Sequence, residues 1–118
     1  MQEVMGKSLE AVVYIRNPNL LDNQLNVCAD FVEVNDLETK RIFMDSSEDE
    51  QEWPQFNALK DYIETHPNTV VVTSSTGRIS RDKTDMYNLL DFLKSNKCHL
   101  VCIEEKMDTT ILWDEIIE

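Results

Sequence analysis

Two kinds of hydrophobic pattern alternate along this chain of 118 residues. Short runs of β-branched and aliphatic residues are typical of buried strands, and they occupy 10–15, 39–44, 69–73 and 99–103. Longer segments with apolar residues every three or four positions predict amphipathic helices, which we place at 20–34, 53–65 and 83–95. This alternation predicts a three-layer α/β domain, in which a mainly parallel sheet of four or five strands is flanked by helices.

The alternation continues from about residue 10 to residue 110 without a linker or an internal repeat. It predicts a single domain over 1–118, because this length suits one ordinary domain. The polar run 108–110 has the composition of a helix N-cap, so a short last helix is expected at 111–118. We expect no separate DNA-binding domain in the chain.

The charge of the chain limits its partners. Eleven Lys and Arg against 23 Asp and Glu give a net charge of −12, which should repel nucleic acid and anionic membranes. No apolar run approaches the length of a membrane span, and the first residues lack the apolar core of a signal peptide. Three cysteines outside any C-x-x-C arrangement are consistent with reduced thiols, so we expect a cytoplasmic protein.

Cys98, His99 and Cys102 are the one group that could be considered for a metal. On a strand, however, the two cysteines share one face and the histidine points to the other. We therefore favour two small apolar side chains buried in the core and expect no metal. Two glycines are too few for a P-loop or a dinucleotide-binding loop, and no cofactor is expected.

Arginines follow two of the predicted strands, at the edge of a parallel sheet where ligands usually bind. Arg16 follows the first strand, and Arg78 and Arg81 follow the third; Asp45 ends the second. Guanidinium groups bind phosphate and carboxylate oxygens in pairs. The cluster could therefore hold an oxyanion such as sulfate or phosphate, or the arginines could pair with nearby carboxylates.

Five segments in register carry a resemblance to a known family. They are Tyr14-Ile15-Arg16, Gln24-Leu25 with Cys28, Ile42-Phe43-Met44-Asp45, Val70-Val71-Val72 with Arg78-Ile79-Ser80-Arg81, and His99-Leu100 with Asp108-Thr109. In this order and spacing the chain resembles the catalytic domain of the serine site-specific recombinases, the resolvase/invertase family. The resemblance implies a resolvase-like fold and assigns Arg16, Arg78, Arg81 and Asp45 to what remains of an anion-binding cluster.

Three positions depart from the pattern of that family. The resemblance places Pro18 where the family has its nucleophilic serine, Trp53 where it has an arginine, and Gly77 where it has an aspartate. A phosphoseryl–DNA intermediate needs an attacking oxygen, and proline has none. Ser74, Ser75 and Ser80 lie nearby in the predicted fold, but they come from a different loop. We therefore expect no catalytic residue and no enzymatic activity.

The resulting hypothesis is a catalytically inactive resolvase-like domain that acts through a protein partner or by self-association, for example in the regulation of a recombination system. Binding to DNA is expected to be weak or absent, and no membrane contact is expected. Two alternatives remain open at this stage. The protein could take part in site-specific DNA recombination through direct DNA binding, or it could bind phosphate with Arg16, Arg78 and Arg81.

Overall fold

A five-stranded sheet forms the centre of the structure, a computed structural model that describes residues 9–46 and 52–111. Its strands are β1 (Glu10–Arg16), β2 (Thr39–Asp45), β3 (Thr69–Thr73), β4 (His99–Cys102) and β5 (Met107–Asp108). They lie in the order β2-β1-β3-β4-β5. The first four strands are parallel, and β5 pairs antiparallel with β4. The predicted mainly parallel sheet is thereby confirmed.

Helices cover both faces of this sheet. They are α1 (Gln24–Val34), α2 (Pro54–Thr65) and α3 (Lys83–Ser95). α1 packs its buried side chains Cys28 and Val32 on one face, and α2 and α3 pack Leu59, Ile63 and Leu93 on the other. The architecture is the three-layer α/β arrangement that the alternation of strands and helices predicts.

The alternation of side chains along β1 explains how one strand serves two cores. Val13 and Ile15 point towards α1, whereas Val12 and Tyr14 point towards α2 and α3, because successive side chains in a strand face opposite sides. β1 has neighbours on both edges, and everything after its first residue is buried. A strand that is buried on both faces needs a continuous apolar run, and this is why its sequence shows no polar alternation.

The start of α1 differs from the prediction. We expected a helix from residue 20, but α1 begins at Gln24, and Leu20 and Leu21 lie fully exposed in a turn. The cause is local hydrogen bonding by short polar side chains. Asn19 Oδ1 accepts from Leu21 N at 2.9 Å, and Asp22 Oδ1 accepts from Gln24 N at 3.0 Å. Such contacts compete with helical hydrogen bonds. Leu21 therefore lies outside α1, although its spacing from the later apolar residues is that of a helix.

Other boundaries agree with the sequence to within one or two residues. α3 has the expected bounds, and β1 and β2 each extend by one residue, to Arg16 and Asp45. Helical backbone resumes at residue 109, where Asp108 Oδ1 accepts from Thr110 N at 2.9 Å in the manner of an N-cap. The predicted helix 111–118 falls almost entirely outside the described residues and stays a prediction.

Within residues 9–46 and 52–111, no helix is long and apolar enough to cross a membrane.

Candidate functional site

The ends of β1 and β2 bring Arg16 and Asp45 side by side. The two residues are partners in the parallel register, and Tyr14 connects their side chains. Tyr14 donates its hydroxyl to Asp45 Oδ2 at 2.7 Å, and Arg16 Nε donates to the same hydroxyl oxygen at 2.7 Å. Burial and the hydrogen bond to Asp45 raise the pKa of Tyr14 well above its usual value, so the hydroxyl stays protonated. It bridges the two charged groups by donating to the carboxylate and accepting from the guanidinium.

Asp45 also caps α2, although it belongs to the end of β2 and not to the residues that precede the helix. Its Oδ1 accepts from Gln55 N at 2.8 Å and its Oδ2 accepts from Phe56 N at 2.9 Å. The residue at the N-cap position itself, Trp53, makes no side-chain cap hydrogen bond. A carboxylate near free N–H groups at a helix N-terminus is favourable for both hydrogen bonding and the helix dipole. Asp45 is therefore a fully buried structural group rather than a carboxylate that faces the cleft.

Trp53 covers the guanidinium of Arg16. Its backbone has φ 44° and ψ 61°, in the left-handed region, which is unusual for a large side chain. The following residue, Pro54, disfavours a right-handed helical backbone at Trp53. The indole ring then lies with its centroid 3.8 Å from Arg16 Cζ, a cation–π contact. Arg16 Nη1 donates in addition to the carbonyl oxygen of Ile79.

Arg78 lies beside Arg16 but is held by other partners. It belongs to a 3-10 turn (Thr76–Arg78) that follows β3. Its Nη2 lies 2.6 Å from Asp22 Oδ2, and its Nη1 donates to the carbonyl oxygen of Arg16 at 3.0 Å. Of the two alternatives that the sequence left open, pairing with a carboxylate therefore describes Arg78. The acceptor is Asp22, a residue that the sequence did not single out.

Gln24 completes this network from the first turn of α1. Its side chain is buried, and its Nε2 donates to the carbonyl oxygen of Arg16 at 3.0 Å and to Asp22 Oδ2 at 2.8 Å. Its Oε1 accepts from Arg16 N at 3.2 Å. All the hydrogen-bonding groups of this amide are used except one lone pair. The contacts join the end of β1 to the start of α1 and hold the loop 17–23 in place.

A cleft of about 1100 Å³ opens between α2 and α3 at this edge of the sheet. Arg16 and Arg78 lie in its wall, together with the exposed Arg81 and the half-buried Lys60. Arg81 forms no hydrogen bond or ion pair with any residue of 9–46 or 52–111. The structure thus brings three of the four predicted cluster residues to one cleft, while Asp45 lies behind Tyr14 and reaches Arg16 through it.

Two of the three positions that depart from the family pattern line the same cleft. Trp53 and Gly77 lie in its wall, and Pro18 is exposed in the loop after β1. A Cβ atom added to Gly77 would meet only Ser75 Oγ, at 3.6 Å, so the backbone there leaves room for a larger side chain. These positions differ in chemistry from the family pattern without any disruption of the fold around them.

Sequence reasoning missed Asp22 as part of the site, and it named Tyr14 and Gln24 only within the motifs that carry the family resemblance, without a role in the site. A partial signal existed for Asp22, since an acid in the loop after β1 faces the same sheet edge as the arginines. No local pattern distinguishes it from Asp30 or Asp36, which are exposed. Its pairing with Arg78 spans 56 positions of the chain and depends on the order of the strands.

The cysteines lie in the core. Cys28, Cys98 and Cys102 are buried free thiols, and the side chain of Cys98 donates to the carbonyl oxygen of His66. His99 lies on the other side of β4, where its Nδ1 is 3.1 Å from Thr109 Oγ1. The arrangement of Cys98 and Cys102 agrees with the expectation that they are core side chains.

We predict that the native thiols react very slowly. Burial raises the pKa of Cys28 and of Cys102 to about 12, because the thiolate loses its hydration. Only a very small fraction of either residue is thiolate at pH 8, so labelling by an aromatic disulfide should be about a thousandfold slower than after unfolding in urea. Rapid labelling of a folded thiol at pH 8 would contradict the described burial.

Comparisons with known proteins agree with this fold. The N-terminal catalytic domain of TP901-1 integrase superposes with a TM-score of 0.73 at 21% identity, over 86% of this chain and 82% of that one. A resolvase family site-specific recombinase from Streptococcus pneumoniae gives a TM-score of 0.74 at 18% identity, over 92% of this chain and 87% of that one. No curated protein matches the sequence significantly.

The sequence itself matches the model of one protein family, described as "Resolvase, N terminal domain", over residues 11–117. This match spans nearly the whole chain and includes every residue of the cluster described above. With the sheet order, the three layers and the structural neighbours, it confirms the resemblance that the sequence motifs indicated: the chain belongs to the resolvase family of serine recombinases.

Proposed function

We propose that this protein is a resolvase-family domain that does not cleave DNA and that acts through contacts with another protein in a recombination system. The observation that carries the proposal is Pro18, which the family motif places at the nucleophile. Covalent catalysis by an alcohol requires an oxygen that a base can activate, and the proline ring offers none. The lost arginine at Trp53 and the lost aspartate at Gly77 point in the same direction.

Nearby serines are poor substitutes for the missing nucleophile. Ser74 is buried at the end of β3. Ser80 donates its hydroxyl to Asp85 Oδ2 at 2.9 Å and accepts from Asp82 N at 3.0 Å, so its side chain belongs to the start of α3. A nucleophile must approach the reacting atom along a defined line, and a hydroxyl held in this way would have to leave its partners first.

The state of the arginines also supports the proposal. Arg16 is buried and its guanidinium is covered by Trp53 and bonded to Tyr14 and Ile79. Arg78 is bonded to Asp22 and to backbone carbonyl oxygens. Groups that stabilise a transition state need donors directed at the reacting phosphate. Arg16 Nε and Nη1 and both terminal nitrogens of Arg78 instead donate to the protein itself.

A protein partner is favoured by the surface around Pro18. Leu20 and Leu21 are fully exposed in the same loop, although the turn is held by Asn19 and Asp22. Single exposed apolar side chains are common on protein surfaces, whereas adjacent ones are more typical of an interaction surface. The two leucines of this loop are adjacent. The net charge of −12 in turn disfavours DNA as the partner.

The proposal predicts that the P18S variant alone does not cleave DNA. Purified wild-type protein and the P18S variant would be incubated with supercoiled plasmid and with labelled duplex, and covalent protein–DNA adducts would be trapped. We expect no adduct from either protein, since Trp53 and Gly77 remain unchanged. A recombinase of the same family with its serine intact serves as the positive control. Adduct formation by the wild-type protein would refute the proposed function.

A second candidate function is phosphate binding, and the exposure of Arg81 is the observation that favours it. A salt-dependent affinity for duplex DNA that falls in the R81A variant would support direct binding through phosphate contacts. The absence of binding even at low salt would leave the protein partner as the better proposal.

A further inference from the structure

We propose that the outer edge of β2 is a self-association surface, on which β2 of a second copy of this chain pairs antiparallel and extends the sheet. The inference goes beyond the proposed function, because it does not depend on the loss of the nucleophile. It identifies a surface away from the cleft and commits to one occupant, an identical strand.

β2 leaves the backbone groups of one edge free for another strand. It is seven residues long, and in the part of the chain that the structure describes only β1 pairs with it. Asp45 directs its carbonyl oxygen towards β1, where Asn17 N donates to it at 2.9 Å. Successive residues of a strand direct their backbone groups to alternate edges, so those of Ile42 and Met44 point outwards. A long free edge of this kind is a template for strand pairing.

The side chains beside this edge are apolar and half-exposed. Phe43 belongs to the core under α2 and α3, so Ile42 and Met44 face the side of α1. Their exposed fractions are 48% and 46%, whereas Val13 and Ile15, their register partners on β1, are each 1% exposed. The difference arises because α1 packs mainly against β1 and β3. The apolar row on β2 therefore lacks a full cover within the described residues.

The sequence of β2 is complementary to itself in the antiparallel direction. With Phe43 on the two-fold axis, Ile42 lies opposite Met44 of the partner subunit, on the same face of the sheet. Arg41 then lies opposite Asp45 of the partner subunit, so no like charges meet, whereas a parallel pairing in register would place Arg41 beside its own copy. The outward backbone groups of Ile42 and Met44 bond to each other across the axis, and both copies use the same surface, as in most homodimers.

Lys40 does not block this pairing, although an edge lysine often prevents contact between sheets. Its Nζ lies 3.2 Å from Glu38 Oε2 and 3.8 Å from Glu10 Oε1 of its own chain, and in the proposed register it lies beyond the apolar pairs. The opposite edge of the sheet, β5, has only two residues and offers little to a second strand. The long edge of β2 is therefore the better place for a second copy.

The test is sedimentation equilibrium of wild-type protein and the I42K variant over a range of concentrations. The net charge of −12 on each copy repels the two, so moderate salt is needed to screen it. We expect the wild-type mass to rise from 13.8 kDa towards twice that value, with a micromolar dissociation constant typical of a small interface. In I42K the dissociation constant should rise roughly tenfold or more, because a charge replaces an apolar side chain at the contact.

The matched control is V34K. Val34 is 83% exposed and follows the buried Val32 by two positions on α1, so it points away from the sheet. The substitution also exchanges an exposed β-branched residue for lysine, and its dissociation constant should stay within about twofold of wild type. A wild-type protein that stays monomeric at every concentration, or a loss in V34K equal to that in I42K, would overturn the proposal.

Amide hydrogen exchange of the wild-type protein keeps the proposal testable even if I42K does not fold. Exchange at the amides of Ile42 and Met44 should slow as the protein concentration rises, whereas the amide of Phe43, which faces β1, should change far less. Protection that arises instead at Leu20 and Leu21 would place self-association on another surface, and the proposal would be wrong. Neither measurement bears on adduct formation with DNA, so a failure here is distinguishable from a failure of the proposed function.

Discussion

Replacement of Asp45 by alanine is expected to lower the free energy of unfolding by about 3 to 4 kcal/mol. The side chain is fully buried and accepts three hydrogen bonds, from Tyr14, Gln55 and Phe56. Loss of a helix cap costs about 1 kcal/mol, and a buried hydroxyl that is left without its acceptor costs roughly 1 to 3 kcal/mol more. Arg16 would in addition lose the negative group that balances its buried charge.

The measurement is equilibrium unfolding in urea, with two companion variants. D61A removes an exposed acid of α2 and should change the stability by less than about 0.5 kcal/mol. D45N keeps one acceptor oxygen and should lose about half as much as D45A, because its amide can still satisfy one of the N–H groups at the start of α2. A loss below about 1 kcal/mol in D45A would show that the contacts from Asp45 to Tyr14 and to α2 contribute little to stability.

Replacement of Arg78 by glutamate is expected to be the second most damaging change, at about 2 to 3 kcal/mol. The variant removes the hydrogen bonds to Asp22 and to the carbonyl oxygen of Arg16 and places a carboxylate beside another one that is nearly buried. Removing one member of a largely buried pair leaves the other charge without compensation, and the new side chain adds repulsion to that loss.

R81E is the matched control, because Arg81 carries the same change three positions later in the chain and is exposed. Its stability should stay within about 0.5 kcal/mol of wild type. The double variant D22R/R78E, which reverses the pair, should regain part of the loss, and the double-mutant cycle isolates the pairwise energy. If R78E proved as stable as R81E, Arg78 would have to be regarded as a solvent-facing charge that is available to ligands.

Both predictions concern charged side chains, Asp45 and Arg78, whose hydrogen bonds connect the elements around the cleft. A binding or catalytic site commonly leaves some of its polar groups unsatisfied until the ligand arrives, at a cost in stability. In this protein Asp45, Tyr14 and Gln24 bond to neighbouring groups, and Asp22 satisfies Arg78. Two buried polar atoms of the described residues at this edge, Asn17 Oδ1 and Thr73 Oγ1, have no hydrogen-bond partner. The remaining polar contacts rigidify their surroundings and join the ends of β1 and β2 to the starts of α1 and α2.

Much of the fold was accessible from the sequence because it depends on local patterns. The valine run of β3 and the spacing of Leu89 and Leu93 in α3 each define their element without help from distant residues. The convergence of Arg16 and Arg78 was also predictable, since parallel strands end at the same edge of a sheet. Family membership followed from motifs whose order survives even where single residues have changed.

The roles of the site residues, by contrast, were decided by the tertiary structure. Asp45 caps a helix that begins nine positions later, and Asp22 pairs with an arginine 56 positions away. The left-handed backbone of Trp53 directs its ring over Arg16, and Leu21 leaves its helical pattern because Asn19 and Asp22 form local turns. Periodicity and composition describe neighbours along the chain. The partner of a buried charge is instead set by the strand order and the loops, because these decide which groups come within hydrogen-bonding distance.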